Sequence, residues 1–278
     1  GQDNEAARAT AEVNKMMDIV EEHGWDGEWF LRAYDANGNK VGSKDNEESK
    51  IFIESQGFAA MAGIGLQNGK TESALNAVDS MLGCKYGIVL NYPAFSRYYL
   101  EYGEISTYPQ GYKENGGIFT HNNPWIIIGE TVLGRGDRAY DYYTRISPAW
   151  QDHVALRKLE PYVYTQMVAG KEAVRPGEAK NSWLTGSAAW NYHAITEHIL
   201  GIKPDYHGLR IDPCIPSDWS DYTVTRKYRG ATYNIQISNP DSVSKGVKSV
   251  SIDGVAIEGS VVSAMEAGKE YNIDVVMG

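Results

Sequence analysis

The sequence predicts a mainly α-helical protein with a β part. Apolar residues recur at helical spacing over long stretches up to about residue 200. After Pro204 the pattern changes to short alternating runs bounded by Gly, Asp or Asn. No internal sequence repeat is present. The expected division is a helical part over residues 1–206 and a β domain over 207–278.

Each element has its own signal. Residues 4–22 place Ala7, Val13, Met16, Met17 and Val20 on one side and charges on the other, which predicts a helix. Trp25 to Val41 reads as two extended pieces around Asn37-Gly38, a hairpin signal. Gln56 to Gly65 is small and apolar and reads as a buried helix ending at glycines. Thr71 is the expected cap of a helix carrying Ala74, Leu75, Val78, Met81 and Leu82. Residues 124–133 and 137–146 read as consecutive helices split by Gly-Arg-Gly, with Asn122 or Asn123 as cap and Pro124 in the first turn. Trp183 to Leu200 reads as a long helix closing at Gly201. From Leu209 onward, strands are expected at 222–225, 231–237, 247–252, 261–262 and 271–276.

Composition narrows the function classes. The 278 residues carry 42% hydrophobic residues, enough for a substantial core, and a net charge of −10. That charge argues against nucleic acid and anionic membrane surfaces as partners, because both demand basic patches. Cys84 and Cys214 alone suggest no disulfide framework. No run approaches the roughly 18 apolar residues of a membrane span, and residues 1–24 do not read as a signal peptide. A cytoplasmic setting is expected. The six histidines are scattered. His193 and His198, five apart, are not expected to share a helix face, and no metal site is readable.

Two segments carry chemistry. Residues 104–125 read Glu-Ile-Ser-Thr-Tyr-Pro-Gln-Gly-Tyr-Lys-Glu-Asn-Gly-Gly-Ile-Phe-Thr-His-Asn-Asn-Pro-Trp. Proline and three glycines rule out a regular helix there, leaving a polar, aromatic loop. Residues 177–190, Gly-Glu-Ala-Lys-Asn-Ser-Trp-Leu-Thr-Gly-Ser-Ala-Ala-Trp, have the same character. Aromatic faces beside amides, carboxylates and a lysine suit a sugar, whose C–H faces stack and whose hydroxyls both donate and accept. Trp25, Trp29, Trp125, Trp183 and Trp190 are candidate stacking platforms, most of them expected to fill core. Asp26 and Glu28 are expected to bind backbone around a turn rather than to catalyse.

These segments resemble the inverting disaccharide phosphorylases of the cellobiose/chitobiose phosphorylase family, glycoside hydrolase family 94. So do Trp25-Asp-Gly-Glu-Trp-Phe-Leu-Arg-Ala-Tyr34, Leu133-Gly-Arg-Gly-Asp137, Glu160-Pro-Tyr-Val-Tyr-Thr-Gln166 and Ile211-Asp-Pro-Cys-Ile-Pro216. The similarity runs over nearly the whole chain, in the same motif order. It implies the second half of an (α/α)6 barrel followed by a small C-terminal β domain. It also implies that the general-acid aspartate lies upstream of Gly1, so no catalytic residue is assigned here and the isolated chain is expected to be inactive. The upstream part of the same enzyme is an implied partner, as is a second copy in a homodimer.

The resemblance further implies that His121, Thr185 and Gly186 bind phosphate. Histidine donates and can become cationic near neutral pH, Thr185 offers a hydroxyl, and Gly186 lets a ligand approach backbone near a helix start. Lys113, Glu114 and Gln166 match residues binding the transferred glucosyl ring, and Glu104 and Tyr108 match the leaving-sugar subsite. Tyr108 fits cellobiose-type members, which favours a glucose acceptor. The implied reaction is reversible inverting phosphorolysis of cellobiose to α-glucose 1-phosphate and glucose. Inorganic phosphate is co-substrate and no cofactor is expected. Phosphate is already nucleophilic, so no second catalytic carboxylate is required, unlike in inverting hydrolysis. The alternatives are phosphorolysis of chitobiose or another β-disaccharide, hydrolysis on an α/α toroid, and a non-catalytic carbohydrate-binding fragment.

Overall fold

A computed structural model describes residues 2–151, 158–160 and 162–278. The chain divides into two compact units, one of residues 1–129 and 145–187, the other of residues 130–144 and 188–278. Helices and small sheets are mixed, with six α-helices among the described residues.

The first unit opens with α1 (Asp3–His23), which has Asp3 and Glu5 in its first turn and His23 in its last, complementing the helix dipole. Val13, Met16 and Ile19 on it are exposed. Glu21 ties it down, accepting from the Gly65 amide, Asn68 and Lys70. The expected hairpin follows as β1 (Ala33–Tyr34) and β2 (Lys40–Val41), paired antiparallel. Asp35 closes the turn by accepting from the amides of Asn37 and Asn39.

Next come β3 (Ile51–Phe52), α2 (Ile53–Met61) and α3 (Lys70–Ala77). The buried Gln56 of α2 clasps the Trp25–Phe30 loop: its Nε2 donates to the Phe30 carbonyl while its Oε1 accepts from the Phe30 amide. Thr71 is not the cap of α3. The helix begins one residue earlier, after a left-handed Gly69, and the Thr71 hydroxyl donates back to the Ile64 carbonyl. Ala74, Leu75, Val78 and Leu82 are buried as the spacing predicts, but the last two belong to a π-helical turn, Val78–Leu82.

The segment expected to be mainly helical is punctuated by strands. The pairs are β4 (Gly83–Cys84) with β5 (Gly87–Ile88), and β6 (Asn91–Tyr92) with β3. A three-stranded antiparallel sheet joins β7 (Ile118–Phe119), β8 (Thr165–Val168) and β9 (Ala179–Ser182). Between β7 and β8 lies α4 (Asn123–Val132), with Pro124 in its first turn. Asn123 is helical rather than a cap; its amide holds the Ile88 amide and carbonyl.

The second unit contains α5 (Gly136–Ile146) and α6 (Ser187–His193), most of whose residues belong to it. The helix expected from Trp183 starts four residues late. Trp183 adopts a left-handed φ of 70° just past β9, and its amide bonds the Tyr164 carbonyl rather than opening a helix. After α6 the chain passes into a π-helical turn, Ala194–Ile199.

From there strands dominate. A sheet of three joins β10 (Ile202–Pro204), β11 (Gly208–Ile211) and the later β16. A sheet of five has the order β12-β13-β17-β14-β15. Its members are β12 (Asp221–Tyr228), β13 (Ala231–Ser238), β14 (Ser249–Ile252), β15 (Val255–Ile257) and β17 (Glu270–Val276), while β16 spans Val261–Ser263. On β13 the period of two is plain: Ala231, Tyr233, Ile235 and Ile237 are buried. Two of the sequence motifs meet here. Gly136 lies so close to the Ile215 carbonyl that a Cβ has no room, and Asp137 accepts from the Ser217 amide and hydroxyl.

Asp26 was expected to bind backbone around its turn, but it binds mainly side chains beyond it. It is buried and accepts from Lys40 Nζ at 2.7 Å, Ser43 Oγ at 2.7 Å and the Lys44 amide at 2.9 Å. Burial opposes its ionisation, yet these donors prevail and hold its carboxyl below the usual range. A depressed carboxylate stabilises the fold above its unfolded pKa, and that stability is lost as pH falls through the folded value. Asp26→Ala is therefore expected to cost about 1.5–3 kcal/mol near neutral pH, toward the lower end because Lys40 is half exposed. Urea melts of both proteins should converge as pH falls below the carboxylate range; a gap that persists in acid would rule out this charge-based account.

Candidate functional site

The polar loop folds onto itself before it offers any side chain. Asn115, fully buried, donates to the carbonyls of Phe95 and Tyr108 and accepts from the Phe95 amide. The Gly116 amide donates to Asn91 Oδ1 at 2.7 Å. Gly111 has a φ of 80° and packs so closely on Ala173 backbone that no side chain fits. Lys113, with a φ of 51°, sits in the left-handed region at a cost of about 1–2 kcal/mol. Its amide donates to Met167 Sδ and its Nζ to Gln166 Oε1 at 2.7 Å, which repays the strained turn with two contacts to β8.

Beside this loop is a pocket of about 260 Å³. Glu114, His121, Asn122 and Trp125 line it from the loop and the start of α4, Glu54 from α2, and Arg32 from the segment before β1. Glu54 Oε2, Glu114 Oε2 and Asn122 Oδ1 are buried there without a hydrogen-bond partner among the described residues. Burial pushes the Glu54 carboxyl up, partly offset by Arg32, whose Nε is 3.9 Å away. His121 packs its ring edge-on to Trp125 with centroids 5.7 Å apart. Burial also lowers the His121 pKa, so the ligand-free imidazole is neutral near pH 7 rather than cationic. It can still donate one N–H.

Of the residues matched to phosphate or sugar binding, only Glu114 and His121 line this pocket. Thr185 Oγ1 is 2.6 Å from Ser187 Oγ, which is 2.5 Å from Thr120 Oγ1, next to His121 in the chain. Thr120 Oγ1 in turn donates to the Thr165 carbonyl. These hydroxyls form an unbroken line from Thr185 to the loop beside His121. Gly186 is exposed in the bend before α6. Gln166 sits behind the loop, its carbonyl accepting from the Thr120 amide and its Oε1 from Lys113 and Asn181. Glu104 and Tyr108 do not line the same pocket. The Tyr108 hydroxyl donates to Glu104 Oε1 at 2.8 Å, which raises its pKa, and Tyr108 faces a separate open depression with Ser96, Arg97 and Gln110. Of the tryptophans, Trp29 is core, donating to the Gly42 and Lys50 carbonyls, while Trp183 is exposed. Pro161 of the Glu160–Gln166 motif lies outside the described residues.

Sequence reasoning missed Glu54, Arg32, Thr120 and Ser187. For Glu54 a signal existed: a lone carboxylate in the apolar run Ile51-Phe-Ile-Glu. For the two hydroxyl residues nothing distinguished them from neighbouring polar residues.

Residues 1–201 match the catalytic domain of the glycosyl hydrolase 94 superfamily, and the chain belongs to that family. It is 41% identical over 281 aligned residues to the N,N'-diacetylchitobiose phosphorylase of Vibrio proteolyticus, covering all of this chain and 35% of the relative. It is 36% identical over 267 residues to the solabiose phosphorylase of Paenibacillus borealis, covering 95% of this chain and 34% of the relative. The chain thus spans about a third of the length of these relatives. A solved sialidase structure superposes with a TM-score of 0.54 at 13% identity, over 79% of this chain and 20% of that one, a likeness of fold alone. No described helix is long and apolar enough to cross a membrane.

If His121 binds phosphate, as the resemblance implies, His121→Ala in the full-length protein should weaken apparent phosphate affinity about tenfold to a hundredfold, the value of one bond to a charged partner. Acceptor-sugar kinetics should change far less. Phosphate titrations at fixed sugar concentration measure this, and an unaltered phosphate dependence would remove His121 from any phosphate site.

Proposed function

We propose that this chain is part of an inverting phosphorylase for a β-linked disaccharide. The observation that carries this reading is a set of buried acceptors around one pocket, Glu54 Oε2, Glu114 Oε2 and Asn122 Oδ1, that have no hydrogen bond among the described residues. Acceptors left without donors cost stability. A ligand bearing several hydroxyls supplies those donors, and Trp125 supplies an aromatic wall. Family membership supports the same reading.

In this proposal Lys113, Glu114 and Gln166 hold the transferred ring, and His121, Thr185 and Gly186 receive phosphate. The Thr185–Ser187–Thr120 hydroxyl line supports it, because Thr185 can redirect its proton to a phosphate oxygen while Ser187 remains bonded to Thr120. A neutral His121 donates to the dianion, and the approaching negative charge favours its protonation. The general acid is supplied by a segment preceding this chain, and the full protein works as a homodimer. Stereochemical inversion follows from attack by phosphate on the face opposite the departing sugar.

Two acceptors compete. Tyr108 beside Glu104 favours glucose, hence cellobiose as substrate. The relative named for N,N'-diacetylchitobiose favours an acetamido sugar. Incubating the full-length protein with each disaccharide, with and without phosphate, decides between them. Sugar 1-phosphate formed only when phosphate is present supports the proposal; phosphate-independent hydrolysis would replace it with a hydrolase.

The purified 278-residue chain by itself is expected to release no sugar 1-phosphate, and a phosphate-dependent product from it would place the acid within these residues. In the full-length protein, Tyr108→Val should shift preference in the synthetic direction toward N-acetylglucosamine over glucose by about tenfold, the scale of a remodelled pocket wall. Equal relative rates before and after the change would take Tyr108 out of the acceptor subsite.

A further inference from the structure

In an α-helix, residues five apart point in different directions, and His193 and His198 were expected to do so. The turn Ala194–Ile199 is π-helical, however. Hydrogen bonds that span five residues bring residues i and i+5 onto one face. The two Nε2 atoms are 3.3 Å apart, and the ring centroids are 4.9 Å apart with planes at 75°. The nitrogens are therefore the near edges of the two rings, turned toward shared space.

We propose that His193 and His198 form a two-nitrogen site for a borderline divalent transition ion, Zn²⁺, Ni²⁺ or Cu²⁺, completed by water. An ion about 2.0–2.1 Å from both nitrogens, at a tetrahedral angle, needs them about 3.3–3.4 Å apart. The observed spacing meets that without rearrangement. Imidazole nitrogen suits these ions and not Mg²⁺ or Ca²⁺. The Glu197 carboxylate lies 3.4 Å from His193 Nδ1, the position from which a carboxylate orients a ligating histidine and raises its basicity.

The nearest cations oppose a bound ion, and two carboxylates offset them: Glu197 at His193 Nδ1 and Asp212 beside the lysines. Lys203 and Lys245 lie near His198, but both are drawn to Asp212, at 3.9 and 3.8 Å, and Lys245 Nζ also donates to the Thr131 carbonyl. Among the described residues no cluster of three or more His, Cys, Asp or Glu forms a metal site. With only two protein nitrogens, loss of either one removes the site.

The test is calorimetric titration of the chelator-treated 278-residue chain with Cu²⁺, Ni²⁺ and Zn²⁺, together with electron paramagnetic resonance of the Cu²⁺ adduct. One ion per chain with two coordinated nitrogens is expected. His193→Gln and His198→Gln should each abolish saturable binding, Glu197→Gln should weaken it about tenfold, and His207→Gln should leave it unchanged. Circular dichroism checks each variant's fold. Because His193 is half exposed, its variant decides the matter even if the His198 variant unfolds. Absence of saturable binding, or binding that survives His193→Gln in a folded chain, would reduce the histidines to a hydrogen-bonded pair.

Discussion

The buried amide of Asn115 is the constraint on which the candidate site depends. It holds Phe95 by both amide and carbonyl, and Tyr108 by its carbonyl, so the loop from Pro109 to Gly117 closes on the strand β6 region rather than extending into solvent. Only then can Lys113 take a left-handed conformation with its amide on Met167 and its ammonium on Gln166. Glu114 follows in the chain and is delivered to the pocket wall. Charged side chains that would otherwise be a solvated pair are aimed by backbone geometry. The close contact of Gly111 with Ala173 serves the same end, because it brings the segment after β8 against the loop.

The electrostatics of the pocket are unbalanced in a particular direction. Two carboxylates and an amide oxygen face it, with one guanidinium at 3.9 Å from Glu54 and a neutral imidazole. An excess of acceptors repels a free anion but attracts hydroxyl donors. Thr185, after β9, ends a line of hydroxyls that runs through Ser187 to Thr120, next to His121 in the chain. In the proposed reading, the acceptor-rich pocket takes sugar hydroxyls, and the line of hydroxyls beside His121 takes phosphate. That division does not require the net charge of −10 to be overcome globally, because a half-buried donor acts at short range.

Much of the fold was legible where one local signal dominated. The α1, α4 and α5 spans and the strands after Leu209 follow from hydrophobic period, and the Asp35–Asn39 turn from its Asn-Gly. What failed was decided by partners distant in sequence. Trp183 to Gly186 has helical composition, but β9 must pair with β8 first, and the chain turns left-handed at Trp183 before a helix can start. Thr71 resembles a cap in sequence, yet the Ile64 carbonyl claims its hydroxyl. The loop that carries Lys113, Glu114 and His121 was visible through its prolines, glycines and charges. Glu54 was overlooked although its sequence signal, one carboxylate in an apolar run, was present.

The two π-helical turns expose a limit of periodic reading that is physical rather than statistical. A template of period 3.6 assigns faces from spacings of three and four, and Val78 with Leu82 still satisfies it. In the second turn the buried apolar residues are Ala194 and Ile199, five apart, a spacing that an α-helix would place on different sides. Burying both requires the turn to widen. Widening moves every residue of that turn, so His193 and His198, offset by one position from the apolar pair, must come together too. The convergence of the two imidazoles is thus a consequence of how the core takes up Ala194 and Ile199. Removing the apolar demand, not only the histidines, would separate the rings.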